Sequence, residues 1–153
     1  MRVAMSALEA KVPPPVLVAL LAGTVWFLPR HDGSSVVLLC MGVALIVVGF
    51  GMNAWPKVMF RRVGTSVSPV RPALASTLVT NGPYRFSRNP MYLGYALALL
   101  GWAFCLVQPW GLLAVAFFMA YINRFQILPE ERYLSCRFPA QYAAYRRAVR
   151  RWA

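Results

Sequence analysis

The sequence predicts an all-α fold: a polytopic membrane helical bundle of about four transmembrane helices plus a C-terminal amphipathic helix. Three observations predict it. The chain is 59 % hydrophobic and carries only four acidic residues, whereas a soluble domain of this length needs a larger polar surface. Its apolar residues gather into runs of membrane length. Its basic residues, which set a net charge of +12, crowd into the connections between those runs. That charge has three readings: nucleic acid, anionic lipid or an acidic ligand. Arginines interleaved with apolar runs favour the anionic leaflet of a bilayer over nucleic acid. The chain has the length of one domain, so residues 1–153 read as a single integral membrane unit.

The first apolar run extends from about Val16 to Leu28, with a start inside Pro13-Pro14-Pro15 as an open alternative. Glu9, Lys11 and the prolines precede it without a small-residue cleavage site, so it reads as a retained helix. The second, Val36 to Trp55, is the clearest, being long and uncharged enough to cross roughly 30 Å of hydrocarbon. Its Gly42, Gly49 and Gly51 are candidates for close helix contact. The third runs from Pro90 to Val107. The fourth runs from Trp110 to Leu128, interrupted by Asn123, Arg124 and Gln126, and a tight hairpin at Gln108-Pro109 joins the two.

Charge sets the orientation. The Arg30–Ser35 connection is short and nearly neutral, whereas Lys57, Arg61, Arg62, Arg71, Arg85 and Arg88 fill the connection over residues 56–89. The positive-inside rule places that connection, both termini and the basic face in the cytoplasm. The connection is too long for a simple turn. Its Pro69, Pro72 and Pro83, a short helical stretch over Ala73–Val79, and Val70, Leu78, Tyr84 and Phe86 predict a folded segment hugging the membrane.

After Pro139 the sequence reads as an amphipathic helix. Tyr142, Tyr145, Val149 and Trp152 share one face, and Arg146, Arg147, Arg150 and Arg151 the other. It serves either as an interfacial anchor alone or also as a cover over a site. Cys40, Cys105, Cys136 and the lone His31 show no metal-ligand spacing, so neither a metal site nor a disulfide framework is expected.

Two constellations carry chemistry. In Asn81-Gly82-Pro83-Tyr84-Arg85-Phe86-Ser87-Arg88-Asn89-Pro90-Met91-Tyr92 a tight turn is followed by a helix start. Asn89 is the candidate side-chain cap, and Pro90 takes the first helical position. The positive end of that helix, flanked by Arg85 and Arg88, suits a carboxylate or phosphate; a capped helix with snorkelling arginines is the plainer account. Glu130-Glu131 is the second. If Pro129 opens a new helix, these carboxylates sit at its favourable end. If the fourth helix continues, they need a cationic partner: an arginine, Arg124 among the candidates, or a positively charged ligand.

Gly82-Pro83-Tyr84-Arg85, Arg88-Asn89-Pro90-Met91-Tyr92-Leu93-Gly94, Glu130-Glu131, and Phe138 with Tyr142 and Tyr145 together resemble the isoprenylcysteine carboxyl methyltransferase and phospholipid methyltransferase superfamily. The resemblance covers roughly Thr65 to Trp152. It implies an integral membrane enzyme that uses S-adenosylmethionine at the cytosolic face to methylate a lipophilic acceptor entering from the bilayer. That acceptor is isoprenoid-cysteine-like, a phospholipid, or an isoprenoid-like small molecule; anionic lipid is an expected partner, and a second copy of the chain, paired through the second helix, is left open. Residues 90–152 would form the cofactor-binding hairpin and tail. Tyr84, Arg85, Arg88, Asn89, Pro90, Tyr92, Leu93, Gly94, Glu130, Glu131, Tyr142 and Tyr145 would line the cofactor site, with Arg88, Glu130 and Glu131 carrying the chemistry. The sequence departs from the family pattern in having Asn89 where histidine is usual and Pro139 where glycine commonly stands. It also has Ala148 where a basic residue often precedes the valine. A non-enzymatic membrane scaffold, or small helical bundle, is the alternative class.

Overall fold

The computed structural model describes residues 12–29, 33, 35–63 and 78–153, without the side chains of 60–63. Six α-helices follow one another: α1 (Pro14–Phe27), α2 (Val36–Val63), α3 (Pro90–Cys105), α4 (Gly111–Ile122), α5 (Leu128–Arg137) and α6 (Pro139–Ala148). A 3-10 turn, Gly82–Arg85, precedes α3, and a π turn, Asn123–Ile127, joins α4 to α5. There is no strand among the described residues.

α1 opens with Pro14 in its first turn, so its start lies within the proline run. Ser35 Oγ accepts the Leu38 amide at 3.3 Å and thereby caps α2. α2 does not stop near Trp55. It continues through Pro56 to Val63, so the connection expected over 56–89 loses its first part to helix. Proline lacks an amide donor, and apolar helices tolerate the resulting gap when neighbouring structure supports the turn; Pro56 is fully buried. Residues 64–77, and with them Val70 and most of the expected Ala73–Val79 helix, lie outside the described residues. So do His31 and most of the Arg30–Ser35 loop.

α3 is the central helix. Gly42 of α2 lies against Gly101 of α3, and Gly49 against Gly94, so the two helices run antiparallel with their backbones in contact. A Cβ on Gly49 would stand 2.5 Å from the Gly94 carbonyl oxygen, and one on Gly42 would stand 2.6 Å from that of Gly101. Small residues let helices approach this closely. Gly51, also expected in the contact, has nothing within 4 Å of it. α1 packs on α3 and α4: Trp26 stacks on Trp102 at 5.7 Å, and the Trp102 indole N–H donates to the Ala22 carbonyl at 3.1 Å. Gln108, in the turn after α3, donates its amide to the Leu28 and Pro29 carbonyls at 2.9 and 2.8 Å. The core gathers Leu17, Tyr92, Leu99, Phe118, Ile122 and Ile127.

Among the described residues two stretches are long and apolar enough to cross a membrane, Val36–Met59 (24 residues) and Gly111–Arg137 (27 residues). Only 17 % of the most apolar window of the first is buried inside the molecule, whereas the core helix of a soluble protein is mostly buried. Val37, Val43, Val47, Phe50 and Val58 instead stand exposed, an oily face that suits lipid. α1 (14 residues) and α3 (16 residues) are apolar but shorter. At 1.5 Å per residue they reach about 21 and 24 Å, less than the hydrocarbon thickness.

Candidate functional site

The site forms where three segments meet: the turn before α3, the start of α5, and the chain after α6. Gly82 adopts a φ of +61°, a conformation open to glycine without cost, and a Cβ there would collide with the Met59 sulfur. The 3-10 turn that follows delivers Ser87, Arg88 and Asn89 into the protein. Ser87 is 1 % exposed and its hydroxyl accepts the Asn89 amide at 3.0 Å. Asn89 precedes α3 as expected, yet its side chain makes no cap hydrogen bond. The side chain instead donates to the Arg151 carbonyl at 2.9 Å, because the C-terminal chain supplies a buried acceptor there.

The two alternatives for Glu130-Glu131 combine: Pro129 and both glutamates fall in the first turn of α5, and the helix also runs on into it from α4. α4 passes through the π turn into α5 without a break, the Leu128 amide bonding back to Asn123. The wider turn lies just ahead of Pro129, which has no amide to donate, and such turns are frequent at functional sites. Glu131 accordingly has cationic partners. Arg88 Nη2 approaches its Oε1 at 3.1 Å, and both side chains are only 9 % exposed. Arg151 grips the same carboxylate with two hydrogen bonds, Nε to Oε1 at 3.0 Å and Nη2 to Oε2 at 2.7 Å. These partners displace Arg124, which is exposed and stacks its guanidinium over Phe125 at 5.5 Å.

Arg151 is the residue that the sequence pattern misplaced. A helix continuing to Trp152 would set it on the arginine face with Arg146, Arg147 and Arg150. α6 ends at Ala148, however, and Val149 is extended, with φ −128° and ψ 134°. The chain then turns back over the site. The Arg150 carbonyl accepts the Arg88 amide at 3.0 Å, Arg151 Nη1 donates to Asn123 Oδ1 at 3.0 Å, and Trp152 packs on the core. Hydrogen bonding to Glu131 raises the Arg151 pKa, so its charge is fixed.

Four tyrosines surround these charges. Tyr142 and Tyr145 are buried on α6 as expected, and the Tyr145 hydroxyl donates to the Tyr84 carbonyl at 2.7 Å. Burial pushes Tyr142 up to about 12, with Glu131 adding to the rise and Arg88 and Arg146 opposing it. Burial also raises Tyr145 and Tyr84; the Glu130 charge adds to the rise at Tyr84. Tyr92, on the first turn of α3, is buried within electrostatic reach of Glu130. Tyr84, Tyr142 and Tyr145 therefore stay neutral at physiological pH.

The structure thus gathers Tyr84, Arg88, Asn89, Pro90, Tyr92, Glu130, Glu131, Tyr142 and Tyr145 at one end of the bundle. Three other sequence-predicted residues lie differently. Gly94 sits in the α2–α3 seam against Gly49 and Asn53. Leu93 is half-buried one turn into α3, its amide bonding to the Asn89 carbonyl at 3.0 Å. Arg85 is exposed, on a groove of about 590 Å³ that borders the site at Tyr145 and is shared with Leu78, Thr80, Gln141 and Val149. Asn123 and Ser87 join the site unannounced; each is a small polar residue whose role depends on a segment distant in sequence.

One atom in the cluster is unsatisfied. Arg88 Nε is buried and has no hydrogen-bond partner among the described residues. An orphaned guanidinium donor beside a helix start is an open position for an anionic group. The sequence model of one family, described as phospholipid methyltransferase, matches residues 37–141. The chain belongs to that family. Membership makes a membrane-associated methyltransferase the functional class of the protein. An uncharacterised protein of Haemophilus influenzae is 44 % identical over 62 residues, 40 % of this chain and 98 % of that protein. No solved structure matches. The segment matched by the phospholipid methyltransferase model ends before Tyr142, so the tail that closes the site lies beyond it.

Proposed function

We propose that this protein is an S-adenosylmethionine-dependent methyltransferase acting on a lipophilic acceptor at the cytoplasmic face of a membrane. The observation that carries the reading is the buried, unpartnered Nε of Arg88 at the start of α3. A cofactor carboxylate fits there, held by a charge-assisted hydrogen bond and by the positive end of the helix dipole. Glu130 and the aromatic faces of Tyr84, Tyr92, Tyr142 and Tyr145 suit the remaining groups: ribose hydroxyls, an ammonium and a sulfonium. Asn89 gives its amide to the tail in place of the family's usual imidazole contact.

The cofactor supplies a methyl group activated on sulfur, open to in-line displacement. The protein's part is to position the reactants and exclude water. An acidic acceptor is already ionised and needs only orientation. An amine acceptor must lose a proton, and here the two glutamates divide. Both oxygens of Glu131 are committed to guanidinium donors. Glu130 has no ion-pair partner among the described residues, so it is the group able to take a proton.

In this reading α1 and α3 complete a four-helix unit whose termini and site face the cytoplasm. Its exposed Arg146, Arg147 and Arg150 meet anionic lipid. Purified protein in detergent titrated with S-adenosylhomocysteine tests the assignment. Binding is expected, with a rise in melting temperature; at a hundred times Kd the stabilisation is about 2.7 kcal/mol. Arg88→Ala and Glu131→Gln should lose it. Wild-type protein that shows neither heat nor thermal shift belongs to a non-enzymatic scaffold instead.

A further inference from the structure

We infer that Arg151 is a positioning residue of the transfer site: it holds Glu131, and through Glu131 it sets the Arg88 guanidinium that receives the anionic end of the methyl donor. The inference rests on the cofactor reading above and adds a residue outside the family-matched segment.

The geometry is that of a fixed clamp rather than a surface ion pair. Arg151 uses all three guanidinium nitrogens: Nε and Nη2 on the two oxygens of Glu131, and Nη1 on Asn123. A planar fork meeting a carboxylate edge fixes direction as well as distance. Arg151's own backbone is also pinned, its carbonyl accepting from Asn89 at 2.9 Å and from Ser87 at 3.4 Å. The neighbouring Arg150 carbonyl holds the Arg88 amide, so the tail positions Arg88 from both ends: main chain directly, side chain by way of Glu131. With Glu131 Oε1 shared between Arg151 Nε and Arg88 Nη2, the Arg88 plane is set and its Nε is left over. Glu131 and Arg88 are each 9 % exposed, so water does not substitute readily for a lost partner.

The test is isothermal titration of S-adenosylhomocysteine into the full chain in detergent, reading affinity and stoichiometry separately. A purely structural role lowers the fraction of competent protein and leaves Kd alone. Positioning changes Kd. Arg151→Ala should raise Kd by about tenfold at unchanged stoichiometry, the scale of a hydrogen bond to a charged group. Arg151→Lys, a point charge without the fork, should recover part of that loss. In an Arg88→Lys background Arg151→Ala should add less than about threefold, because the planar group it positions is gone. An Arg151→Ala Kd within about twofold of wild type, a change in stoichiometry alone, or full additivity with Arg88→Lys overturns the inference. Failure of the wild type to bind takes down the cofactor reading and this inference with it.

Discussion

Arg88 reaches Glu131 through Nη2 at 3.1 Å while its own buried Nε meets no acceptor among the described residues. Half of a buried guanidinium is thus engaged in structure and half held in reserve. An unsatisfied buried donor costs about 1–3 kcal/mol, a cost that a ligand acceptor placed there would relieve. Arg88→Lys separates the two halves. An ammonium still reaches Glu131 and preserves its charge balance, but it has no second donor in the plane. The variant should keep the melting temperature of the apo protein within a few degrees and weaken S-adenosylhomocysteine binding by about tenfold. Unchanged affinity would mean that the orphaned donor faces no cofactor.

Tyr145 joins α6 to the turn before α3, its hydroxyl donating to the Tyr84 carbonyl at 2.7 Å. Tyr145→Phe keeps the ring and its burial but strands that carbonyl. The expected cost is about 1 kcal/mol of stability, read as a lower melting temperature in detergent. A variant as stable as wild type would show that this hydrogen bond contributes nothing to holding α6 in place.

The legible part of this protein was whatever depends on local pattern. Long uncharged runs announced α2 and α4, proline marked the starts of α1 and α3, and aromatic spacing put Tyr142 and Tyr145 on the buried face of α6. Glu130-Glu131 was noticeable because carboxylates are so scarce. What could not be read was where the chain after Ala148 goes. A helical projection gives Arg151 the same face as Arg147, and only the acceptor-hungry turn at Ser87–Asn89, some sixty positions away, pulls it inward. Asn89 illustrates the same limit. Its position promised a side-chain cap, and a tertiary partner outcompeted the local one. The continuation of α2 past Trp55 was likewise hidden, since a proline inside a helix is locally unfavourable.

The α2–α3 seam offers a comparison with its control built in. Gly49→Val places a side chain 2.5 Å from the Gly94 carbonyl oxygen and 2.8 Å from the Ala98 nitrogen, both backbone atoms that have nowhere to move. The helices must separate, at a cost of about 1–3 kcal/mol or more. Gly51→Val, half a turn away with nothing within 4 Å, should be neutral or slightly stabilising because valine is the better helix former. Thermal unfolding of the two variants side by side in one detergent reads the difference. Equal melting temperatures would mean that the close approach contributes nothing.

Alkali should loosen the cap over the site before it unfolds the bundle. Tyr142, ordinarily near 10, is pushed up to about 12 by burial and by Glu131, with Arg88 and Arg146 pulling the other way. The folded state therefore disfavours the phenolate that the unfolded chain forms more easily. The stability this contributes is whole below about pH 10 and drains away as pH climbs toward 12. Tyr145 and Tyr84, raised by burial, act in the same direction. Tyr142→Phe has no proton to lose. Relative to wild type it should hold its melting temperature better at about pH 11 than at about pH 9. The quantity to measure is the difference between the two proteins at each pH, which cancels what the two share. A difference that stays constant between those pH values would place the Tyr142 hydroxyl in water, and α6 away from the Arg88–Glu131 pair.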